Sequence, residues 1–381
     1  MTSRQHSLFP SFPQEDQRRH RAGVVAALSR VVDSGSYILG EEGASFEAEF
    51  AEFLGAEHVV GVGNGTDAIE LMLRALEIGP GSKVVVPAHA PSAVAAGVRR
   101  SGAAPVFADI EPETFTLCPA SLEAVLRAHA GQGVRAALAV HLYGHPADWE
   151  NLRQTAAAHG VTLLEDVAQA HGAVWHGRMA GTLGTAAAFS FYPTKNLAAC
   201  GDAGAVVCDN EAMAGRLRLL RQYGWRERHV SAVDGVNTRL DEMQAAVLRV
   251  KLPSLLESVA RREKLAGIYG RRLGTHEFLK TPAVSKGCGH AWHQYVVRSA
   301  RRDDLVRHLE DAGIPVGVHY PIPLHLQPAF KRGAGVGLPH AEAAAREVVS
   351  LPLHPHLAEE AVNLVCDVIE SLDLTPSHAA S

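Results

Sequence analysis

The chain has 381 residues, 47% hydrophobic and 20% charged, with a formal net charge of −5 and a pI near 6.5. That length suits two domains, or one large core with a smaller appendage. The charge balance excludes a general attraction to nucleic acid or to an anionic membrane surface. Cys118, Cys200, Cys208, Cys288 and Cys366 form no CxxC pair, which argues against a disulfide scaffold or a structural zinc site. The start, MTSRQHSLFPSFPQEDQRRH, lacks an apolar signal core, and no run of 18 apolar residues occurs. A cytoplasmic protein with no membrane span is therefore expected.

In chain order, residues 1 to about 35 read as an arm leading into the first helix. Ser45 to Leu54 reads as a helix, with Phe46, Phe50 and Phe53 at three-to-four spacing. HVVGVGNGTDAIELMLRAL reads as strand, turn and helix. KVVVP, APVFADI, AALAVHLY, VTLLEDV, TAAAFSF and GAVVCD follow as strands, with helices such as SLEAVLRAHA and ENLRQTAAAH between them. Such alternation favours an α/β fold with a largely parallel sheet. After about residue 240 the pattern changes. RLDEMQAAVLRVKLPSLLESVARREKLAGIYGRRL reads as helical with a break at Pro253. WHQYVVRS and PVGVHYP read as strands, RDDLVRHLEDAG as a helix, and Glu359 to Leu372 as a last helix before a loose tail, LTPSHAAS. This part reads as a smaller α+β domain.

Three short stretches carry chemistry. In GNGTDAIELML, residues 63–73, small residues precede an apolar helix pattern, so backbone N–H groups at the helix start, with the Thr66 hydroxyl, suit a phosphate. The series Gly61, Gly63, Gly65 followed by Thr66 fits neither the dinucleotide fingerprint nor a P-loop. Taken alone it reads equally as a tight strand–helix connection. In LLEDVAQAHGA, residues 163–173, a strand ends at Glu165 and Asp166, where ligands of parallel sheets gather. Asp166 and His171 lack a clear third ligand, so no metal is expected. In FSFYPTKNLAACGDAG, residues 189–204, Lys195 is the one lysine. An amine for a Schiff base, an acid for a pyridine nitrogen and a phosphate nest are the three needs of pyridoxal phosphate.

These blocks, with ILGEEGASFEAEFAEFLG, YGWRERHVS, GVNTRLDEMQAAVL and HYPIPLHLQPAF, occur in one order over nearly the whole chain. In that order they resemble the DegT/DnrJ/EryC1/StrS family of sugar aminotransferases. The resemblance implies a fold type I pyridoxal phosphate-dependent transferase. Residues 1–250 would form the arm and a large cofactor-binding domain with a mostly parallel seven-stranded sheet, and residues 251–381 a small α+β domain. It implies that Lys195 carries the cofactor and shuttles the proton, and that Asp166 partners the pyridine nitrogen. Gln169 would lie near the ring, and Gly65, Thr66 and Ser190 would grip the phosphate. Asn237 would reach the phosphate of a second subunit, so a homodimer with shared sites is implied. The plain alternative for Asn237 and Arg239 is a helix cap with a surface charge.

The resemblance further implies transfer of an amino group from L-glutamate to a keto sugar on a nucleotide. YGWRERHVSAVDGVNTRLDEMQAA resembles the branch acting on dTDP-linked 3-keto-6-deoxyhexoses, with Arg226, Arg228 and His229 near the diphosphate and Tyr320 and His325 in the sugar wall. An exposed basic loop is the alternative for Arg226, Arg228 and His229. C4-keto sugars, cyclitols, another pyridoxal phosphate reaction and a non-catalytic regulator stay open. One position departs from the family pattern. VPAHAPSAV carries Pro91 where an aromatic residue usually stacks on the cofactor, and Ala90 where a threonine is usual. A proline gives no aromatic stack, so the expectation is a looser cofactor or a wider site. The retained lysine argues against the dehydratase branch.

Overall fold

The computed structural model describes residue 11, residues 13–330 and residues 337–372; the first ten residues of the arm and the tail LTPSHAAS lie outside the described residues. The arm does not stay extended. Pro13–Ser34 is a 22-residue helix, α1, because Val24, Ala27 and Val31 recur at helical spacing and bury a stripe, with Ala27 and Val31 packing beside Ala246 and Val250.

Helix α2 (Glu41–Leu54) leads into alternating strands and helices: β1 (His58–Val62), α3 (Gly65–Ala75), β2 (Lys83–Pro87), α4 (Ser92–Arg100), β3 (Ala104–Ala108), α5 (Pro119–Ala128), β4 (Val134–Val140), α6 (Trp149–Ala158) and β5 (Thr162–Asp166). Two short strands, β6 (Val174–Trp175) and β7 (Arg178–Met179), precede β8 (Ala186–Ser190), β9 (Gly204–Cys208) and α7 (Glu211–Leu220). The seven long strands form one sheet in the order β1-β9-β8-β5-β4-β2-β3. All run parallel except β9, which pairs antiparallel with both β1 and β8. Both faces are covered, which is why β8 and β9 are buried at every residue and read as unbroken apolar runs.

Register decides where the site forms. Gly204 stands opposite Val62 and Ser190, while Asp166 stands opposite Val140 and Ala188. The C-terminal ends of β1, β8, β5 and β4 therefore meet along one edge, where α/β proteins bind ligands.

A ribbon, β10 (Trp225–Glu227) with β11 (Val230–Ser231), follows α7. Helices α8 (Glu242–Lys251) and α9 (Leu255–Leu273) are separated by a 3₁₀ turn at Leu252–Ser254, so the chain breaks at Pro253 as expected. Strand β12 (Cys288–Gly289) joins β6 and β7, and β13 (Tyr295–Arg298) pairs with β14 (Val348–Leu351). Helices α10 (Arg302–Asp311), α11 (Pro339–Glu347) and α12 (Glu359–Glu370) complete the chain. Leu265, Tyr269, Tyr295, Leu309, Val349 and Ile369 share a separate apolar cluster beside the sheet. PVGVHYP is not a strand. Gly317 makes a single bridge to Ser350, and Pro315 and Pro321 at its ends remove the donors a ladder needs. Among the described residues no helix is long and apolar enough to cross a membrane.

Successive strand residues face opposite sides, so Glu165 and Asp166 diverge. Glu165 is fully buried and accepts hydrogen bonds from the backbone N–H groups of Gly181, Leu183 and Gly184, each at 2.8 Å, and from His141 Nε2 at 3.0 Å. Ala147 N–H donates to His141 Nδ1, which fixes the imidazole as the neutral Nε2–H tautomer. Glu165→Gln would turn an amide N–H toward backbone donors. Each buried group left unpaired costs about 1–3 kcal/mol. Urea unfolding of the variant is therefore expected to show a loss of at least about 2 kcal/mol, and an unchanged midpoint would refute this role.

Candidate active site

Lys195 lies in the loop after β8, its N–H donating to Tyr192 O at 2.8 Å. The residue as a whole is half-buried, yet its amine lies deep in the protein. Burial lowers its pKa to about 8, and the Asp166 charge opposes that shift. Asp166, 3% exposed, is pushed above the usual carboxylate range by burial; the Ala168 N–H, donating to Oδ1 at 2.9 Å, and Lys195 pull it back. The next residue, Asn196, donates from Nδ2 to Ala291 O (2.8 Å) and accepts from His293 Nδ1 (3.3 Å), so the lysine loop is fastened to the segment before β13.

The turn GNGTD ends β1 and begins α3. Asn64 caps the helix by accepting from Asp67 N–H at 2.9 Å. The earlier N–H groups, those of Gly65 and Thr66, have no acceptor within the helix. A side chain at Gly65 would bring its Cβ within 2.6 Å of Ser190 Cβ, so glycine keeps this cradle open beside the Ser190 hydroxyl. Gly63 N–H donates to Thr238 Oγ1 (2.8 Å), which donates to Asp67 Oδ2 (2.6 Å), locking GVNTRLD onto the turn.

A polar layer roofs the ends of β2, β4 and β5. Gln169 Oε1 accepts from Tyr143 N–H at 2.7 Å, and its Nε2 donates to the Tyr320 hydroxyl at 2.9 Å. Tyr143 stands in the left-handed region, φ 58°. Gly144 follows at φ 105°, where a Cβ would lie 2.9 Å from Trp292 N. The Tyr143 hydroxyl donates to His319 O and accepts from His89 Nε2 at 2.7 Å. Burial lowers the pKa of His89 to about 3 and raises that of Tyr320 to about 12. Around Lys195, burial and then the lysine charge hold His171 down to about 3 and keep His293 and His319 below the usual imidazole range.

The structure thus brings Gly65, Thr66, Asp166, Gln169, Ser190, Lys195 and Tyr320 to one edge of the sheet. Pro91 is half-buried and precedes α4. Asn237 is exposed and bridges Gln222; it is no helix cap, since Asp241 occupies that place at α8. Arg226, Arg228 and His229 are exposed on the β10–β11 ribbon. His325 Nε2 lies 3.3 Å from Glu342 Oε1, and its ring lies beside Phe107. Sequence reasoning missed His89, Tyr143 and His293. The signal for the first two was available, because both follow strands whose neighbours supply the site.

The model of the DegT/DnrJ/EryC1/StrS aminotransferase family matches residues 19–370. The chain is 45% identical over 351 residues, 92% of each chain, to dTDP-3-amino-3,4,6-trideoxy-alpha-D-glucose transaminase of Streptomyces venezuelae. Among solved structures it is similar to S. venezuelae DesV in complex with a ketimine intermediate, with TM-score 0.91, 44% identity and coverage of 95% of this chain and 98% of that one. NtdA from Bacillus subtilis with bound cofactor PMP superposes with TM-score 0.86 at 29% identity, covering 92% and 81%. With a family model spanning the whole site and relatives aligned nearly end to end, the chain belongs to the DegT/DnrJ/EryC1/StrS aminotransferase family.

Proposed function

We propose that this aminotransferase uses pyridoxal phosphate to move an amino group from L-glutamate to a dTDP-linked 3-keto-6-deoxyhexose. The observation that carries the reading is the buried Lys195 amine, whose pKa, lowered to about 8, leaves roughly a tenth of it neutral at pH 7, far more than an exposed lysine would have, and which feels the charge of the buried Asp166. The donor set fits the cofactor. A carboxylate destabilised by burial gains from a protonated ring nitrogen, and the open start of α3 with Ser190 gains from a phosphate. The similarity to a dTDP-amino sugar transaminase supports the substrate class.

When bound, the cofactor supplies the electron sink for breaking and making the bond to hydrogen at the reacting carbon. Asp166 would hold its ring nitrogen protonated, and Gly65, Thr66 and Ser190 would hold its phosphate. The neutral Lys195 amine would take the proton from the glutamate carbon and later deliver one to the sugar carbon. Gln169, fixed at both ends by Tyr143 and Tyr320, would border the ring. Asn237, Arg226, Arg228 and His229 are exposed, which supports delivery to a second subunit's site. Exposed Tyr192 and Tyr223 support an interface there.

The direct test is incubation with L-glutamate and a panel of dTDP-linked keto sugars. A 3-amino product identified by mass and NMR is expected; amination at C4 alone would overturn the substrate reading. Borohydride reduction followed by peptide mapping is expected to place the pyridoxyl group on Lys195. The amine is protonated below a pKa of about 8 and neutral above it, so the rate at which cofactor-free protein links the cofactor should rise about tenfold per pH unit up to about 8 and then level. A rate that keeps rising about tenfold per pH unit through pH 9, as an ordinary lysine would give, would refute the lowered pKa.

The shared site has its own test. Lys195→Ala and Asn237→Ala chains, each inactive, are mixed and allowed to exchange. Hybrid dimers would hold one site with both defects and one with neither, so activity is expected to return. Demonstrated exchange without activity would remove the shared-site reading.

A further inference from the structure

We infer that Tyr320 provides the aromatic face against which the flat cofactor ring packs, a contact Pro91 cannot make. The inference rests on the pyridoxal phosphate reading above. A planar heterocycle needs an apolar or aromatic surface as well as polar grips, and few rings border Asp166 and Lys195. Phe189 and Phe191 are fully buried among Phe46 and Phe50 on the other side of β8. Tyr143 is buried, with its hydroxyl engaged by both His89 and His319. Tyr192 is 51% exposed. The VPAHAPSAV segment offers Pro91 in place of a ring.

Tyr320 is held where such a ring is wanted. Gln169 Nε2 donates to its hydroxyl at 2.9 Å, its ring centre lies 6.3 Å from that of His89, and the Asp166 charge acts on it. Its loop is tied to the end of β2 by Leu324 N–H donating to Ala88 O at 2.7 Å. On its other side, His319 Nδ1 meets Gln294 Nε2 at 3.0 Å and Ser350 Oγ at 2.8 Å. The hydroxyl is tethered, yet the residue as a whole is only half-buried.

The test is the dissociation constant of pyridoxamine 5′-phosphate, which binds without a covalent link, measured by equilibrium dialysis for wild type, Tyr320→Phe and Tyr320→Leu. Leucine keeps the apolar bulk and loses the ring. An aromatic contact predicts that Tyr320→Leu binds about two- to tenfold more weakly, while Tyr320→Phe stays within about twofold of wild type. Thermal midpoints measured alongside identify any variant that fails to fold, and Tyr320→Trp then takes its place with wild-type affinity expected. Equal losses in Phe and Leu would overturn the inference, because the Gln169 tether rather than the ring would then carry the effect. Unchanged binding in Leu would overturn it as well. A wild-type chain that takes up no cofactor would overturn the underlying reading instead.

Discussion

A carboxylate without solvent is tolerable only if its lone pairs are used, and Glu165 meets that condition with three backbone donors and a neutral imidazole. The consequences spread from one strand. The N–H donors come from the 181–184 turn, so the segment entering β8 is fixed. The imidazole belongs to His141, so the chain leaving β4 is fixed as well. Between them, strand alternation turns Asp166 to the opposite face, toward Lys195. A carboxylate satisfied by the backbone and one that faces the lysine thus sit side by side in sequence, and the first fixes the strand that positions the second.

Desolvation sets the electrostatics of the other face. It destabilises both charges, lowering the pKa of Lys195 and raising that of Asp166, while each charge partly offsets the cost of the other. The surrounding imidazoles follow the same rule. His171, His293 and His319 are held neutral by burial, with the lysine charge adding to the effect. The site therefore contains many basic nitrogens and little positive charge. Such an environment favours a ligand that brings its own complementary charges, a phosphate for the α3 terminus and a ring cation for the acid.

Much of this was legible because it is local. The strand–turn–helix at GNGTD, the strand ending in Glu165 and Asp166, and the break at Pro253 all rest on contacts within a few residues. Periodicity misjudged the arm only because it opens on polar residues; the Val24, Ala27 and Val31 stripe was present. PVGVHYP failed as a strand because its apolar alternation is real but its partner positions are not. The remaining features depend on tertiary placement. Nothing near Thr238 in sequence announces Asp67, and nothing near Asn196 announces His293. His325 had a motif but its partner, Glu342, lies on a helix 17 residues away.

The β10–β11 ribbon pairs only with itself in the sheet topology. Its base is anchored by Thr238, through the hydroxyl shared between Gly63 and Asp67, and by Tyr223, over whose ring Arg239 lies at 5.9 Å. Arg226, Glu227, Arg228 and His229 lie beyond those anchors in solvent. Substitutions there disturb no packed core, whereas the anchors cannot drift without moving the α3 turn. Divergence in this segment is therefore cheap: mutation can rewrite the exposed end of the ribbon repeatedly while the turn that opens α3 is inherited unaltered.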